Sequence, residues 1–415
     1  MKGYAVVLGV ATVTTLLLTP LVRWLAVRFG AVVRPSDARH VHTRPTPTLG
    51  GAAMFAGFLA AMAVASRMGQ FHEMLRDNSE PLGIVAAAGI MFLVGALDDL
   101  IDVSPPAKLA GQVLSASLLA YFGVTMFYFR VPFSNDLMVL APDYATLVTV
   151  LWVVVMAQAV NLVDGLDGLA AGIVAIAGGA LFLFADRLFD AGFLEGSNVA
   201  PLVAIIAVGV CVGFLPWNFN PAKIFMGDAG ALFLGLLLAV PTITVGGRTD
   251  FEFSGNTYFF FAPLLIPVII LGVPMIDIAF SFVRRFASRK PWHGADAGHL
   301  HHRLVRLGHG PRRAVLILWA WTALLSGVAL LPTYTNRGNA MVPFALAGLA
   351  LVLVIAFHPG VRSAKERAVR GRHPSAVFKR GEGAASDGGQ GGSDDQPPVL
   401  VEVVDIETRR RRKRA

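Results

Sequence analysis

Four short stretches of this chain set residues capable of chemistry at the ends of long apolar runs. Asn161-Leu162-Val163-Asp164-Gly165-Leu166-Asp167-Gly168 brings two carboxylates and two glycines to the end of a run long enough to cross a bilayer. Carboxylates three residues apart share a face if the segment is helical, and the glycines would let backbone approach a bulky ligand. A turn explains one Asp-Gly well and two in tandem poorly. Asp98-Asp99-Leu100-Ile101-Asp102 follows the apolar run at 83–97. On a continuing helix Asp98 and Asp102 share a face; three like charges so close invite a hard cation such as Mg²⁺ completed by substrate phosphates, or else form a charged cap at a loop exit.

Phe225-Met226-Gly227-Asp228-Ala229-Gly230 enters another apolar run, with Asn218, Asn220 and Lys223 just before it. Backbone N–H groups at such a helix start can face phosphate, and Asp228 could hold a bridging metal; an aspartate N-cap is the alternative. Asp296-Ala297-Gly298-His299-Leu300-His301-His302-Arg303 lies in the most basic loop. No cysteine accompanies these histidines and adjacent side chains cannot all reach one metal, so donation to a pyrophosphate beside Arg303 is the more economical reading, against a merely solvated basic loop. Arg34, Arg39, His40, His42 and Arg44 either meet phosphate or enforce topology.

The elements that must position these groups are membrane spans. Of 415 residues, 55% are hydrophobic and only 15% charged, outside the range of soluble globular domains. The fold class expected is an all-α polytopic membrane protein. Apolar runs near the ~20 residues a span needs occur at 4–27, 49–66, 82–97, 108–127, 146–161, 168–186, 200–217, 230–247, 258–282, 314–332 and 342–358. Eleven spans put the termini on opposite sides, and the Arg/Lys excess after the first and ninth predicts an outside N-terminus and a cytoplasmic C-terminus. The same parity brings every acidic and histidine group above to the cytoplasmic face. The net charge of +8 concentrates in a few loops and the tail, which fits topology and membrane lipids better than nucleic acid. Residues 1–358 read as one transmembrane domain; 359–415, rich in Gly, Ser, Asp and Arg and ending Arg409-Arg410-Arg411-Arg412-Lys413-Arg414, read as a disordered cytoplasmic tail with a polybasic end. Cys211, the single cysteine, reads as a buried, inert thiol.

The combination fits metal-assisted phosphoryl transfer from a soluble diphosphate donor to a lipid acceptor. On the four stretches, in this order and on one face, residues 1–358 resemble the polyprenyl-phosphate N-acetylhexosamine-1-phosphate transferases. That resemblance implies a multi-pass enzyme of the bacterial plasma (inner) membrane, dependent on Mg²⁺ with Mn²⁺ as the substitute, a UDP-sugar donor, a polyprenyl phosphate acceptor and release of UMP; a homodimer is a further expectation. By the same resemblance Asp98 orients or deprotonates the lipid phosphate with Asp99 beside it, Asp228 is the principal Mg²⁺ ligand with Asp98 and Asp99 near it, and Lys108 meets phosphate. Asn161, Asp164 and Asp167 form the nucleoside- and metal-facing loop, Phe225 stacks on uracil, and His299, His301, His302 and Arg303 contact pyrophosphate or sugar. The His-Leu-His-His-Arg-Leu form resembles the UDP-GlcNAc branch rather than the UDP-MurNAc-pentapeptide branch, and the tail resembles actinobacterial chains, whose acceptor is decaprenyl phosphate. Two departures touch the nucleotide contacts: Gln158 where the family often has asparagine, and Thr48 where a basic residue is common. A CDP-alcohol phosphatidyltransferase would carry Ala-Arg after the first Asp-Gly, which is absent, and a transporter would carry ionisable groups at mid-membrane, of which the spans are nearly free, Asp277 being the main exception.

Overall fold

The structure is a computed structural model that describes residues 2–33, 45–76, 78–130, 137–246 and 310–335, with isolated positions at 346, 348 and 350. The chain divides into units at 1–368 and 369–415, and every described residue lies in the first. Its helices are α1 (Lys2–Arg28), α2 (Gly51–Ala65), α3 (His72–Arg76, after a 3-10 turn), α4 (Glu80–Ile101), α5 (Pro105–Tyr121), α6 (Pro142–Val163), α7 (Leu169–Asp190), α8 (Ala200–Asn218), α9 (Gly227–Pro241, running into a π turn) and α10 (Pro311–Thr335). Two short antiparallel ribbons join them: β1 (Val32–Val33) with β2 (Thr46–Pro47), and β3 (Tyr128–Arg130) with β4 (Leu137–Val139).

Seven of these helices are long and apolar enough to cross a membrane, and α2 with the segment 69–76, bent by 95°, makes an eighth candidate. The runs expected at 49–66 and 108–127 are α2 and α5, the latter only 17 residues long. Those at 258–282 and, apart from positions 346, 348 and 350, 342–358, with the tail and the histidine loop, lie outside the described residues. Local chemistry sets the helix starts: proline opens α4, α5, α6 and α8, where its missing N–H costs nothing and its fixed φ favours the first turn.

The central helix is α9, 94% of whose span is buried; α4, α6, α8 and α2 pack around it. Backbones close in where side chains are absent. A Cβ at Gly51 would fall on the backbone of Gly230, and one at Gly95 on the backbone of Asp228, the small-residue contact that lets helices approach without a hydrophobic drive between them. Outward faces remain apolar: Leu93, Leu97 and Ile101 on α4, Leu114 and Tyr121 on α5, and Leu147 and Leu151 on α6 are exposed. On a soluble protein so continuous an apolar surface would aggregate; against lipid it is the expected solvent face.

The helix directions bring one set of ends together. Hydrogen bonds join the start of α9 to the end of α4 and the residues before α2, and the start of α7 to the end of α8. The opposite end is tied separately, by Trp152 donating to Thr242 and Asn198 donating to the carbonyl of Thr244. Consecutive helices therefore run antiparallel, and the three chemistry-bearing stretches within the described residues share one end of the bundle.

Candidate active site

The site is built on the first turn of α9. Gly227 has φ +70°, a conformation L side chains adopt only at a cost, and it turns the chain so that two backbone N–H groups face the end of α4. Asp99 Oδ1 accepts from Asp228 N at 3.0 Å and Asp99 Oδ2 from Ala229 N at 3.1 Å, so a carboxylate from α4 caps the positive end of α9. Thr48 adds a longer bond to Asp99 Oδ1 at 3.4 Å. Asp228 is thus not the N-cap: it sits inside the first turn, with its side chain free to point at other partners.

Those partners are cationic and amide groups from α5 and α6. Lys108 Nζ pairs with Asp228 Oδ2 and with Asp98 Oδ2, the latter at 3.1 Å. Asn161 Nδ2 lies 3.5 Å from the same oxygen of Asp228. The side chains of Lys108, Asp98 and Asp228 are 16%, 18% and 25% exposed, enclosed enough for charge to act strongly and open enough for a substrate to compete. The acidic triplet is divided: α4 stops at Ile101, Asp102 takes φ +57° and is exposed, and Val103 N donates to Asp98 Oδ1 at 3.0 Å. The expectation of a continuing helix fails here because Pro105 and Pro106 start a new one three residues on.

The Asp-Gly repeat is likewise no helix. After α6 ends at Val163, Asp164 and Asp167 turn apart. Asp167 is buried, and its Oδ2 accepts from Asn220 Nδ2 at 2.8 Å and from Ala222 N at 2.9 Å. Asn218, also buried, accepts from Gly168 N and donates to the carbonyl of Ile224. Asp167 therefore orders the 218–224 loop. Asp164 stays at the site, and burial, then Asp99 and Asp167, push its carboxyl up to about 7. Phe225 is held through its backbone, donating to the carbonyl of Pro47 and accepting from Gly50 N, and its ring is half-buried beside the site.

Two contributors were not singled out from the sequence. Arg312, at the start of α10, donates through Nε to the carbonyl and the side-chain oxygen of Asn220 at 2.9 and 3.2 Å. Leu166 packs with Val163, Leu169 and Ile173 against Ala314, Val315 and Leu318 of α10, so this helix clamps the Asp-Gly loop. A lone arginine in a basic loop carries no signal separable from topology. The glycine pair Gly50-Gly51 and the Gly95-x-x-Asp98 spacing did offer one, since both mark where backbone must meet backbone. His299, His301, His302 and Arg303 lie outside the described residues.

Among the described residues no three His, Cys, Asp or Glu side chains converge as a ready-made metal group. Mg²⁺ commonly takes one or two carboxylates and fills its shell with substrate phosphate and water. Asp228 and Asp98 suit such a role, and both oxygens of Asp99 accept from the first turn of α9.

The fold and site define a membrane-embedded bundle of apolar helices that gathers carboxylates, a lysine and a helix N-terminus at one end. Residues 81–246 match the model of glycosyl transferase family 4. The chain is 34% identical to the decaprenyl-phosphate N-acetylglucosaminephosphotransferase of Mycolicibacterium smegmatis, over 83% of this chain and 85% of that protein. It is 34% identical to the probable undecaprenyl-phosphate N-acetylglucosaminyl 1-phosphate transferase of Bacillus subtilis, over 75% and 79%, and 31% identical to the phospho-N-acetylmuramoyl-pentapeptide-transferase of Mycobacterium tuberculosis, over 80% and 96%. The chain belongs to glycosyl transferase family 4 and is a multi-pass membrane protein.

Proposed function

We propose that the protein transfers GlcNAc-1-phosphate from UDP-GlcNAc to a polyprenyl phosphate, decaprenyl or undecaprenyl, as the first lipid-linked step of a cell-wall polysaccharide. The observation that carries this reading is the convergence of Lys108, Asp98 and Asp228 on the N-terminus of α9 at one end of an apolar bundle. A phosphate on a lipid tail arrives in the bilayer and a nucleotide sugar from water, so the reaction belongs at such an end. The relatives named for GlcNAc-1-phosphate transfer, at 34% identity, support this donor over the muramoyl-pentapeptide one, at 31%.

In the step proposed, an oxygen of the lipid phosphate forms a bond to the sugar-linked phosphorus of UDP-GlcNAc. The bond from that phosphorus to the bridging oxygen breaks, and UMP leaves with its electron pair. Asp98 orients the attacking phosphate and takes its proton where it carries one. Lys108, paired to Asp98 and Asp228 in the resting site, moves onto phosphate oxygens and offsets charge as the pyrophosphate separates. Asp99 holds the first turn of α9 in place. Mg²⁺, held by Asp228 with Asp98 near it, would neutralise developing charge on the leaving phosphate. His299, His301, His302 and Arg303 are proposed to meet the pyrophosphate or sugar, Phe225 the uracil, and the face carrying the site is proposed to be cytoplasmic.

The test is UMP release by the purified protein in detergent with Mg²⁺ and decaprenyl phosphate, comparing UDP-GlcNAc with UDP-MurNAc-pentapeptide and repeating with Asp228→Asn. Lipid-dependent turnover of UDP-GlcNAc, lost in the variant, supports the proposal. Turnover of the muramoyl donor alone moves the chain to that branch.

A further inference from the structure

Beneath the site, one helical turn into the bundle, lies a pair of glutamines. Gln112 on α5 is fully buried, and its Oε1 accepts from Gln158 Nε2 on α6 at 3.1 Å. Among the described residues the Nε2 of Gln112 has no hydrogen-bond partner. Gln112 stands four residues after Lys108 and Gln158 three before Asn161, so each shares a helix face with the group above it. Those two groups, one from each helix, meet the same oxygen of Asp228.

A single amide–amide bond with an N–H left over is a poor way to stabilise two packed helices. Burying the amide costs its hydration, and only part of that cost is recovered. Apolar side chains of similar volume would pack α5 on α6 at less cost. What the amide pair supplies is register. A hydrogen bond between two extended side chains fixes how far α5 slides along α6, where a greasy contact tolerates many positions. The adjoining levels do not provide this: Ser115, the next polar residue inward on α5, bonds to the carbonyl of Ala87 on α4.

We propose that Gln112 and Gln158 are positioning residues, which lock α5 against α6 so that Lys108 and Asn161 converge on Asp228. The inference rests on the proposed phosphotransferase reading for its kinetic consequence, though not for its structural one.

The test uses the full chain in detergent with Gln112→Leu, Gln158→Leu and the double variant. Each single change strands one amide and lowers the melting temperature; the double change removes both and restores it. Two readouts then separate positioning from stability. Labelling of Lys108 by a water-soluble amine-reactive ester, followed by mass spectrometry, should rise about tenfold in the restored double variant as the ion pairs loosen, and UMP release should fall about tenfold at unchanged KM for UDP-GlcNAc. A double variant that melts, labels and turns over as wild type overturns the proposal. Should the double variant fail to fold, Gln158→Asn, one methylene too short to keep the bond, is read by the same labelling: a rise supports the proposal and wild-type protection overturns it. A wild-type protein that releases no UMP from UDP-GlcNAc would sink the functional reading, and the labelling would still decide this one.

Discussion

Replacing Gly227 with alanine tests the architecture of the site without touching a charged group. The residue has φ +70°, and a Cβ there would collide with the Asp99 carboxylate and the Thr48 hydroxyl. The conformational cost alone is about 1–2 kcal/mol for an L residue in the left-handed region. The collision displaces Asp99 from at least one of its two bonds to the first turn of α9, and a hydrogen bond to a charged group is worth about 1.5–3 kcal/mol. Together these come to about 2.5–5 kcal/mol, and if most of it is felt in the orientation of Asp228, turnover falls by about 10²- to 10³-fold. The assay is lipid-dependent UMP release, with size-exclusion and thermal melting to show that the variant is folded. Gly179→Ala on α7 is the control, because a Cβ there meets nothing within 4 Å; it should leave turnover unchanged and slightly raise the melting temperature. A folded Gly227→Ala enzyme within about threefold of wild type would refute the claim that this turn holds the site.

Lys108→Met removes the cation shared by Asp98 and Asp228; turnover should fall by at least about 10²-fold, and retention of a tenth of wild-type turnover would contradict its role. Arg312→Ala frees Asn220 and, through it, the Asp167-ordered loop, so the KM for the UDP-sugar should rise about tenfold with little change in kcat; a fall in kcat alone would contradict that assignment. Asp164 makes the third case. Its carboxyl is raised from the ordinary 3.8 to about 7, chiefly by burial, so the folded protein holds this proton more tightly than the unfolded chain does. Its contribution favours folding fully below about pH 4 and is lost as the pH climbs through about 7. Without divalent cations the melting temperature should therefore fall between about pH 4 and 7 and level off above, the fall should be smaller in Asp164→Asn, and Mg²⁺ should offset it in wild type; equal slopes in the two proteins would refute the shift.

Much of this protein was legible from its residues. A 15% charged composition with apolar runs near span length left no soluble alternative, and the spacing of those runs, through simple parity, already assigned the acidic stretches to one face. Asp98, Asp99, Asp164, Lys108 and Asp228 do gather at one end of the bundle. Residue types and order determined this much because lipid allows few choices: helices must span, and charges must lie at their ends. What each carboxylate does there was decided only in three dimensions. Asp99 could not be told from Asp98 in sequence, yet a 100° step around α4 turns one toward Lys108 and the other onto the backbone of α9. Asp167 repeats the chemistry of Asp164 three residues on, but the end of α6 at Val163 sends it into the 218–224 loop. Asp102 leaves the acidic triplet through a single left-handed residue. The roles of Asp99 and Asp167 depend on contacts between residues 129 and 53 positions apart, which no local spacing records.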